Sequence, residues 1–251
     1  MKIAATDFDG TLCPIGEPIP AENIKAIKAW QAAGNKFGIA TGRGLTLIRA
    51  ALARYKDWQP DFLVCNNGAV SVDGKGKMIH CQAIAPDVLR GVLAMPIMQA
   101  ENHSLLVFTA ASVRSIRPNP DIPPELVPPI MEAEALALPD VVQLSIKLAT
   151  PAEAQQVCDE IHAAYPSLGG NINRSYLDIN AVEADKGWGL QQMLAASTWK
   201  DEELLVIGDD KNDLPMIERF AGFTVATAKP FMHEAASKVY PTVGAMLLAN
   251  M

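Results

Sequence analysis

The sequence lacks the features by which several classes of protein are recognised. Its four cysteines form no C-x-x-C pair, so neither a zinc site nor a disulfide framework is indicated. No apolar run approaches the roughly eighteen residues of a membrane span, and only six residues precede Asp7, too few for a secretory signal peptide. We therefore expect a cytoplasmic protein without a membrane partner.

Positive charge is also scarce. Lysine and arginine number 21 against 28 aspartates and glutamates, a formal net charge of -7. Sequence-independent binding of nucleic acid requires phosphate neutralisation by lysine and arginine, so we expect no nucleic-acid partner. The negative charge of any phosphate that this protein binds must be neutralised by a few groups at one site. The 251 residues suffice for one large domain or two smaller ones.

Short apolar runs alternate with helical patterns at both ends of the chain, which is typical of a parallel sheet with crossover helices. The predicted strands are KIAAT, NKFGIAT, DFLVCN, ELLVIGD and GFTVAT. Apolar residues at helical spacing follow the first two strands, at Ile24, Ile27 and Trp30 and then at Leu45, Ile48, Leu52 and Tyr55. The predicted fold class is α/β, with a Rossmann-like parallel sheet.

The pattern changes between about Ala83 and Asp185. Strand-like segments such as SLLVFTA and VRSIR follow one another without intervening helices, which indicates an antiparallel sheet and hence a second domain. Six prolines make the segment RPNPDIPPELVPP a loop. The prediction is a discontinuous core of residues 1–82 and 184–251, with an α+β domain of residues 83–183 inserted into it.

Two aspartates, Asp7 and Asp9, follow the first predicted strand in the stretch ATDFDGTL. Residues i and i+2 of an extended chain face the same way, so we expect the two carboxylates to converge on one spot. Like charges at close range repel each other, so this arrangement costs stability unless a cation or a reaction needs it.

Further polar residues follow the other predicted strands of the sheet. They are Thr41, Gly42 and Arg43 after the second strand, Asn66 and Asn67 after the third, and Asp209, Asp210, Asn212 and Asp213 after the fourth. Because ligands of open α/β sheets bind beyond the carboxyl ends of the strands, we expect these groups to converge on one edge. Lys186, just after the insert, is the candidate for a fixed positive charge there.

In chain order, the motifs DFDGTL, TGR, DKG and GDDKND resemble the four motifs of the haloacid dehalogenase superfamily of phosphohydrolases. The segment NNGA and the position of the insert, between the second and third motifs, are similar to its Cof-type branch with a large α/β cap. The resemblance implies a Mg²⁺-dependent phosphatase that hydrolyses a small phosphorylated metabolite, with sugar phosphates as the expected class. It also implies an aspartyl-phosphate intermediate.

The resemblance assigns the four aspartates distinct roles. Asp7 and Asp209 would bind Mg²⁺ with their side chains and Asp9 with its backbone carbonyl, while Asp213 would orient the metal's ligands. Asp7 would also be the nucleophile that accepts the phosphoryl group. The side chain of Asp9 would protonate the leaving group and later activate water.

By the same resemblance, a second set of residues would bind the phosphoryl oxygens. Thr41, Gly42 and Asn212 would donate hydrogen bonds, and Lys186 would offset the negative charge. The inserted domain would act as a cap that closes over the site and selects the leaving group.

Substrate selection rests on less specific features. Arg43, Arg117 and Arg174 are candidates for binding a sugar or a second anion. Two departures from the family pattern bear on the substrate: Asp210 stands where the family often has a small residue, and VATAKP replaces its usual glycine-asparagine-alanine segment.

Three alternatives remain open. A phosphotransferase such as a sugar phosphomutase also uses D-x-D-x-T with a cap, and differs in whether a sugar hydroxyl or water reaches the aspartyl phosphate. A non-catalytic phosphoryl receiver is disfavoured because it needs neither a second aspartate nor an insert. A degenerate, binding-only homologue is disfavoured because all the catalytic positions are filled. We expect a monomer or a weak homodimer.

Overall fold

The structure is a computed structural model that describes residues 1–200 and 202–251. The chain divides into two compact units. The first unit comprises Met1–Thr41, Leu52–His80 and Asp185–Met251, and the second comprises Gly42–Ala51 and Cys81–Ala184.

The strands are β1 (Lys2–Thr6), β2 (Lys36–Ala40), β3 (Phe62–Cys65), β4 (Val70–Asp73), β5 (Met78–Cys81), β6 (Ser104–Thr109), β7 (Val113–Arg117), β8 (Val141–Lys147), β9 (Leu168–Asn173), β10 (Tyr176–Ala181), β11 (Glu203–Gly208), β12 (Phe223–Val225) and β13 (Lys238–Tyr240).

The α-helices are α1 (Ala21–Ala32), α2 (Leu45–Leu52), α3 (Pro86–Leu93), α4 (Pro96–Gln99), α5 (Glu132–Ala135), α6 (Pro151–Ala164), α7 (Lys186–Ala196), α8 (Leu214–Arg219), α9 (Pro230–Ala235) and α10 (Val243–Ala249). Two short 3₁₀ turns lie at Asn66–Gly68 and Lys211–Asp213. Along the described residues, none of the helices combines the length and the apolar character that crossing a membrane requires.

The first sheet has the strand order β13-β12-β11-β1-β2-β3-β4-β5. Neighbouring strands are parallel from β13 to β3, and β4 then returns antiparallel to β3. The predicted α/β class with a parallel core sheet is confirmed. Thr6 pairs with Ile207 on one side and with Ile39 on the other, so the carboxyl ends of the three central strands lie level at one edge.

Burial explains why these segments form strands and helices. Ile3, Ala4 and Ala5 of β1 have no exposed surface, as expected of a parallel strand covered on both faces. In α1, Ile27 and Trp30 of the predicted apolar stripe are fully buried. The spacing of apolar residues in the sequence therefore identifies the faces of these strands and helices that pack into the core.

The second unit is built on a sheet of order β7-β6-β8-β10-β9, in which every neighbouring pair is antiparallel. The predicted antiparallel sheet is thus present. Helix α6 buries Val157 and Ile161 in the apolar core of this unit, and it begins at Thr150, whose hydroxyl accepts the Glu153 N–H. After Arg117, which ends β7, the proline-rich segment forms neither helix nor continuous strand, and Pro129 makes only an isolated bridge to Ser115.

One segment is grouped differently from the sequence expectation. Gly42–Ala51, which includes most of α2, belongs to the second unit, whereas its place after the second strand had assigned it to the core. The hydroxyl of Thr46 donates to the carbonyl of Ala111 at 3.2 Å, a contact that no sequence periodicity reports. The cap role of the second unit stays a prediction.

Candidate active site

The loop after β1 positions Asp7 and Asp9 differently. Asp7 directly follows the strand, is 6% exposed, and its N–H donates to the carbonyl of Ile207 at 3.0 Å. The chain then turns, because the Leu12 N–H returns to the Asp7 carbonyl at 3.2 Å. Asp9 therefore lies in a turn and is half-buried. The chain is not extended here, and the convergence of the Asp7 and Asp9 carboxylates stays a prediction.

Three carboxylates meet at this edge of the sheet. Side-chain oxygens of Asp7, Asp209 and Asp213 all lie within 4.8 Å of one another. Asp209 follows β11, and the Thr11 hydroxyl donates to its Oδ1. The turn at Gly10 has a φ of 97°, and a Cβ there would overlap the Asp209 carboxylate, so this close approach requires glycine.

Asp213 uses both of its carboxylate oxygens within the protein. Its Oδ2 accepts the N–H groups of Asp209 at 2.8 Å and Asp210 at 3.1 Å, which closes the loop after β11. Its Oδ1 accepts from the Lys186 ammonium at 2.6 Å. Asp213 therefore holds the loop that presents Asp209.

Lys186 is the buried cation of the site. It begins α7, which Asp185 caps by accepting the Trp188 N–H at 2.6 Å. The residue is 1% exposed, and its Nζ lies 2.6 Å from Asp7 Oδ1 and 2.6 Å from Asp213 Oδ1. A lone lysine is ordinarily a solvated surface residue, whereas this one bridges two carboxylates inside the first unit.

Burial and mutual repulsion disturb the protonation of the cluster. Burial raises the pKa of Asp7 well above its ordinary value, with Lys186 opposing the rise and Asp213 and Asp209 adding to it. Burial also raises the pKa of Asp209 to about 6, against the hydrogen bond from Thr11. Burial disfavours the charged form of Lys186, but the Asp213 and Asp7 carboxylates outweigh it and raise the lysine's pKa.

This charge arrangement fits a hard divalent cation. The three clustered carboxylates face one ammonium, which leaves two negative charges uncompensated when all are ionised. Burial is the main cause of the raised pKa values of Asp7 and Asp209, and repulsion from the neighbouring carboxylates adds to it. Carboxylate oxygens are the ligands that Mg²⁺ prefers, and a doubly charged cation would balance the site.

Hydrogen-bond donors lie on the neighbouring strand ends. Thr41 is buried just after β2, and its N–H donates to the carbonyl of Val64 at 2.8 Å. Asn67 donates its N–H to the Thr41 carbonyl at 3.1 Å, and its Oδ1 accepts from the Asn212 amide at 3.2 Å. The ends of three strands are thereby tied together.

Sequence reasoning noted Asn67 at a strand end without giving it a role, and it gave none to Thr11. The hydroxyl of Thr11 contacts Asp209 across 198 positions of sequence, which local patterns do not report. In the sequence, Thr11 lies in the stretch ATDFDGTL, two residues after Asp9. For Asn67 the signal was an asparagine directly before a glycine, a pair typical of left-handed backbone.

The predicted phosphate-binding residues Gly42 and Arg43 follow Thr41 in the chain and are grouped with the second unit. Arg117 donates from Nε to the carbonyl of His103 at 2.8 Å and from Nη2 to that of Met98 at 2.5 Å. Its guanidinium therefore joins backbone segments of the second unit, and its role in binding substrate stays a prediction. Arg174 is exposed at the β9–β10 turn.

The two departures from the family pattern contact each other. The Lys229 ammonium lies 2.6 Å from both carboxylate oxygens of Asp210, and the Lys229 N–H donates to the Asp209 carbonyl at 3.3 Å. Asp210 thus has its own counter-charge, so its extra carboxylate adds less repulsion to the cluster than an unpaired one would.

Comparison with known proteins places this arrangement in context. The profile of the haloacid dehalogenase-like hydrolases matches residues 4–245. Phosphatase YwpJ of Bacillus subtilis is 24% identical, over 100% of this chain and 95% of its own. The 5-amino-6-(5-phospho-D-ribitylamino)uracil phosphatase YcsE of Bacillus subtilis is 23% identical, over 96% of this chain and 90% of its own.

Solved structures share the fold. The subclass IIB sugar phosphatase BT4131 matches with a TM-score of 0.81 at 22% identity, over 99% of this chain and 97% of its own. At that identity the match supports the fold alone, and residue roles must rest on the geometry of this site.

Proposed function

The chain belongs to the haloacid dehalogenase-like hydrolase family, and on that premise we propose that it is a Mg²⁺-dependent phosphatase of a small phosphomonoester, acting through an aspartyl phosphate. Phosphatase activity follows from the family and from its phosphatase relatives. The metal, the intermediate and the ester class are the proposal. The observation that carries it is the carboxylate cluster of the buried Asp7 and Asp213 and the half-buried Asp209, in which the Lys186 ammonium contacts Asp7 and Asp213.

The metal would be held by the Asp7 and Asp209 carboxylates and by the backbone carbonyl of Asp9. Asp213, both of whose oxygens already accept hydrogen bonds, would orient the loop that carries Asp209. When bound, Mg²⁺ supplies positive charge that offsets the charge of the phosphoryl oxygens and of the carboxylates themselves.

Asp7 and Asp9 divide the chemistry. A carboxylate oxygen of Asp7 forms a bond to phosphorus while the bond from phosphorus to the ester oxygen breaks, and Asp9 donates a proton to the departing alkoxide. Asp9 then takes a proton from a water molecule that attacks phosphorus, which releases inorganic phosphate and regenerates the Asp7 carboxylate. The half-buried position of Asp9 leaves it accessible to a leaving group and to water.

The remaining polar groups would align the phosphoryl group. Thr41, the Gly42 N–H and Asn212 donate hydrogen bonds to its oxygens, and Lys186 contributes a fixed charge that needs no reorganisation during the reaction. Lys186 also prevents Asp7 from swinging away, because it bonds one of the two Asp7 oxygens. Arg43 stays a candidate for binding the rest of the substrate.

We propose a sugar phosphate or sugar-alcohol phosphate as the substrate class. The support is similarity to the sugar phosphatase BT4131 and to YcsE, whose named substrate carries a phosphorylated ribityl chain. The second unit would select among such esters as a cap. A cytoplasmic location and a monomer or weak homodimer stay predictions.

The test is phosphate release from a panel of sugar phosphates and aryl phosphates, with Mg²⁺ and then with excess chelator. We expect activity that chelation abolishes and Mg²⁺ restores. Asp209→Asn should require far more Mg²⁺ than the wild type, whereas Asp57→Asn, an exposed aspartate of the same unit, should not. Full activity in excess chelator would mean that the metal assignment is wrong.

Product analysis separates hydrolysis from phosphotransfer. With a sugar bisphosphate we expect inorganic phosphate to accumulate. Isomerised sugar monophosphate with little inorganic phosphate would instead identify a mutase.

A further inference from the structure

The turn after β3 has an unusual run of left-handed backbone beside the site. Three consecutive residues have positive φ: Asn66 at 52°, Asn67 at 52° and Gly68 at 105°. A left-handed conformation is unfavourable for residues that carry a Cβ, and asparagine tolerates it best. Such conformations persist only where the surroundings enforce them, and they concentrate at functional sites.

The surroundings of this turn are the groups proposed to bind the phosphoryl group. Asn67 is 1% exposed, donates its N–H to the Thr41 carbonyl, and accepts the Asn212 amide at its Oδ1. Thr41 and Asn212 lie on different strand ends and are 171 positions apart in sequence. One side chain with its own backbone therefore connects two of the proposed donors.

Gly68 allows the same turn to pack closely against a third segment of the chain, at the start of α7. A Cβ on Gly68 would overlap the carbonyl of Asp185, the residue that precedes Lys186, and a Cβ on Gly189 would overlap Gly68. The turn therefore packs directly against the first turn of α7, which carries the buried ammonium. The turn thus contacts Thr41, Asn212 and the first turn of α7, which are the three segments proposed to bind the phosphoryl group.

We propose that Asn67 is a positioning residue, which rests on the proposed function: its amide oxygen orients the Asn212 side chain so that Asn212 presents an N–H to the phosphoryl group. An asparagine amide has two hydrogens on Nδ2. When one is held by Asn67 Oδ1, the direction of the other is set before the substrate arrives. A donor oriented in advance costs no reorganisation in the transition state.

The test variant is Asn67→Gly, because glycine adopts the same positive φ without strain while removing the amide. We expect kcat/KM to fall about tenfold, the size of loss typical when a supporting partner is removed. Inhibition by inorganic phosphate should weaken by a similar factor, while the melting temperature changes little. The matched control is Ala221→Gly, an exposed position of the first unit with a φ of 49°, which should leave kcat/KM and phosphate inhibition unchanged.

A double-mutant cycle separates positioning from a merely structural role. In the background of Asn212→Ala, Asn67→Gly should cause no further loss of kcat/KM or of phosphate inhibition, because the group it orients is gone. Independent losses that multiply in the double variant would overturn the proposal, as would wild-type kinetics in Asn67→Gly. A wild-type protein that releases no phosphate from any ester would overturn the proposed function itself, and this inference with it.

Discussion

Both units contain a lysine and an aspartate in close contact, and the two pairs differ in their surroundings. In the first unit Lys186 lies 2.6 Å from Asp7, with the two side chains 0% and 8% exposed. In the second unit Lys147 lies 2.6 Å from Asp121, with side chains 31% and 51% exposed. Equal distances therefore describe two different interactions, because burial sets both the strength of the attraction and the cost of removing each charge from water.

The comparison indicates in which unit buried charges lower the stability of the fold. Burying an ion costs several kcal/mol even after relaxation, so an apolar replacement of a buried ion cluster often stabilises a protein. The described part of the first unit holds a cluster of three carboxylates at its strand ends. The second unit packs an apolar core between its sheet and α6. We interpret the buried charges of the first unit as retained for the reaction at the expense of stability.

Asp9→Asn is expected to have a large effect on the chemistry of the first unit. We expect a loss of about 10²–10⁴-fold in turnover of esters with poor leaving groups, because these need a proton from Asp9. Activated aryl phosphates should lose far less, and the fold should be unaffected because Asp9 is only half-buried. Equal losses across a series of leaving groups would remove Asp9 from the acid-base role.

Removing the buried cation should damage stability as well as activity. Lys186→Met leaves Asp7 and Asp213 without the ammonium that both contact at 2.6 Å, and we expect the free energy of unfolding to fall by about 3–5 kcal/mol. Urea denaturation monitored by circular dichroism measures this. A loss below about 1 kcal/mol would mean that this buried pair behaves like a surface pair.

The pH dependence of stability tests the raised pKa of Asp209 in the first unit. Because burial raises the pKa of Asp209 to about 6, the folded protein binds more protons than the unfolded chain between the ordinary pKa and that value. In excess chelator, Asp209 should therefore make the protein more stable as the pH falls from about 7 to about 5.

The matched control for that experiment is Asp209→Asn. Its melting temperature should rise less over the same pH interval, and the difference between the two proteins isolates the contribution of Asp209. With Mg²⁺ present, the contribution of Asp209 to stability should instead fall as the pH falls. A carboxylate that binds the metal must be ionised, so protonation competes with metal binding. A wild-type and variant that respond identically would contradict the raised pKa.

The smallest effect is expected in the second unit. Lys147→Met removes the partner of Asp121, and we expect the free energy of unfolding to change by less than about 1 kcal/mol, because solvent and salt screen an exposed pair. The measurement is the same urea series as for Lys186→Met. A loss as large as that of Lys186→Met would erase the distinction between the two units.

Much of the fold was predictable from apolar patterning. The five predicted strands of the first sheet are all present, and α1 buries Ile27 and Trp30 as its spacing indicated. Short segments were missed, among them β5 and β13, because three or four residues give little periodic signal. The grouping of Gly42–Ala51 with the second unit depends on tertiary contacts that local sequence does not report.

The sequence was sufficient to predict which strand ends carry the site. Carboxyl ends of parallel strands share an edge, so the approach of Asp7 to Asp209 and Asp213 followed from topology. The premise of an extended chain at Asp9 was wrong because the chain turns at Phe8–Gly10, and the convergence of the Asp7 and Asp9 carboxylates stays a prediction. The left-handed turn at Asn67 depends on contacts with segments far away in sequence.

The central claim is that Asp7 accepts the phosphoryl group, and covalent trapping tests it most directly. The protein is mixed with an aryl phosphate and Mg²⁺, quenched in acid during turnover, digested, and analysed by mass spectrometry for a phosphorylated peptide. We predict phosphate on Asp7 in the wild type, no phosphorylated peptide in Asp7→Asn, and a loss of turnover in that variant by several orders of magnitude with the fold intact. Phosphate on a different residue, or turnover by Asp7→Asn at the wild-type rate, would contradict the account.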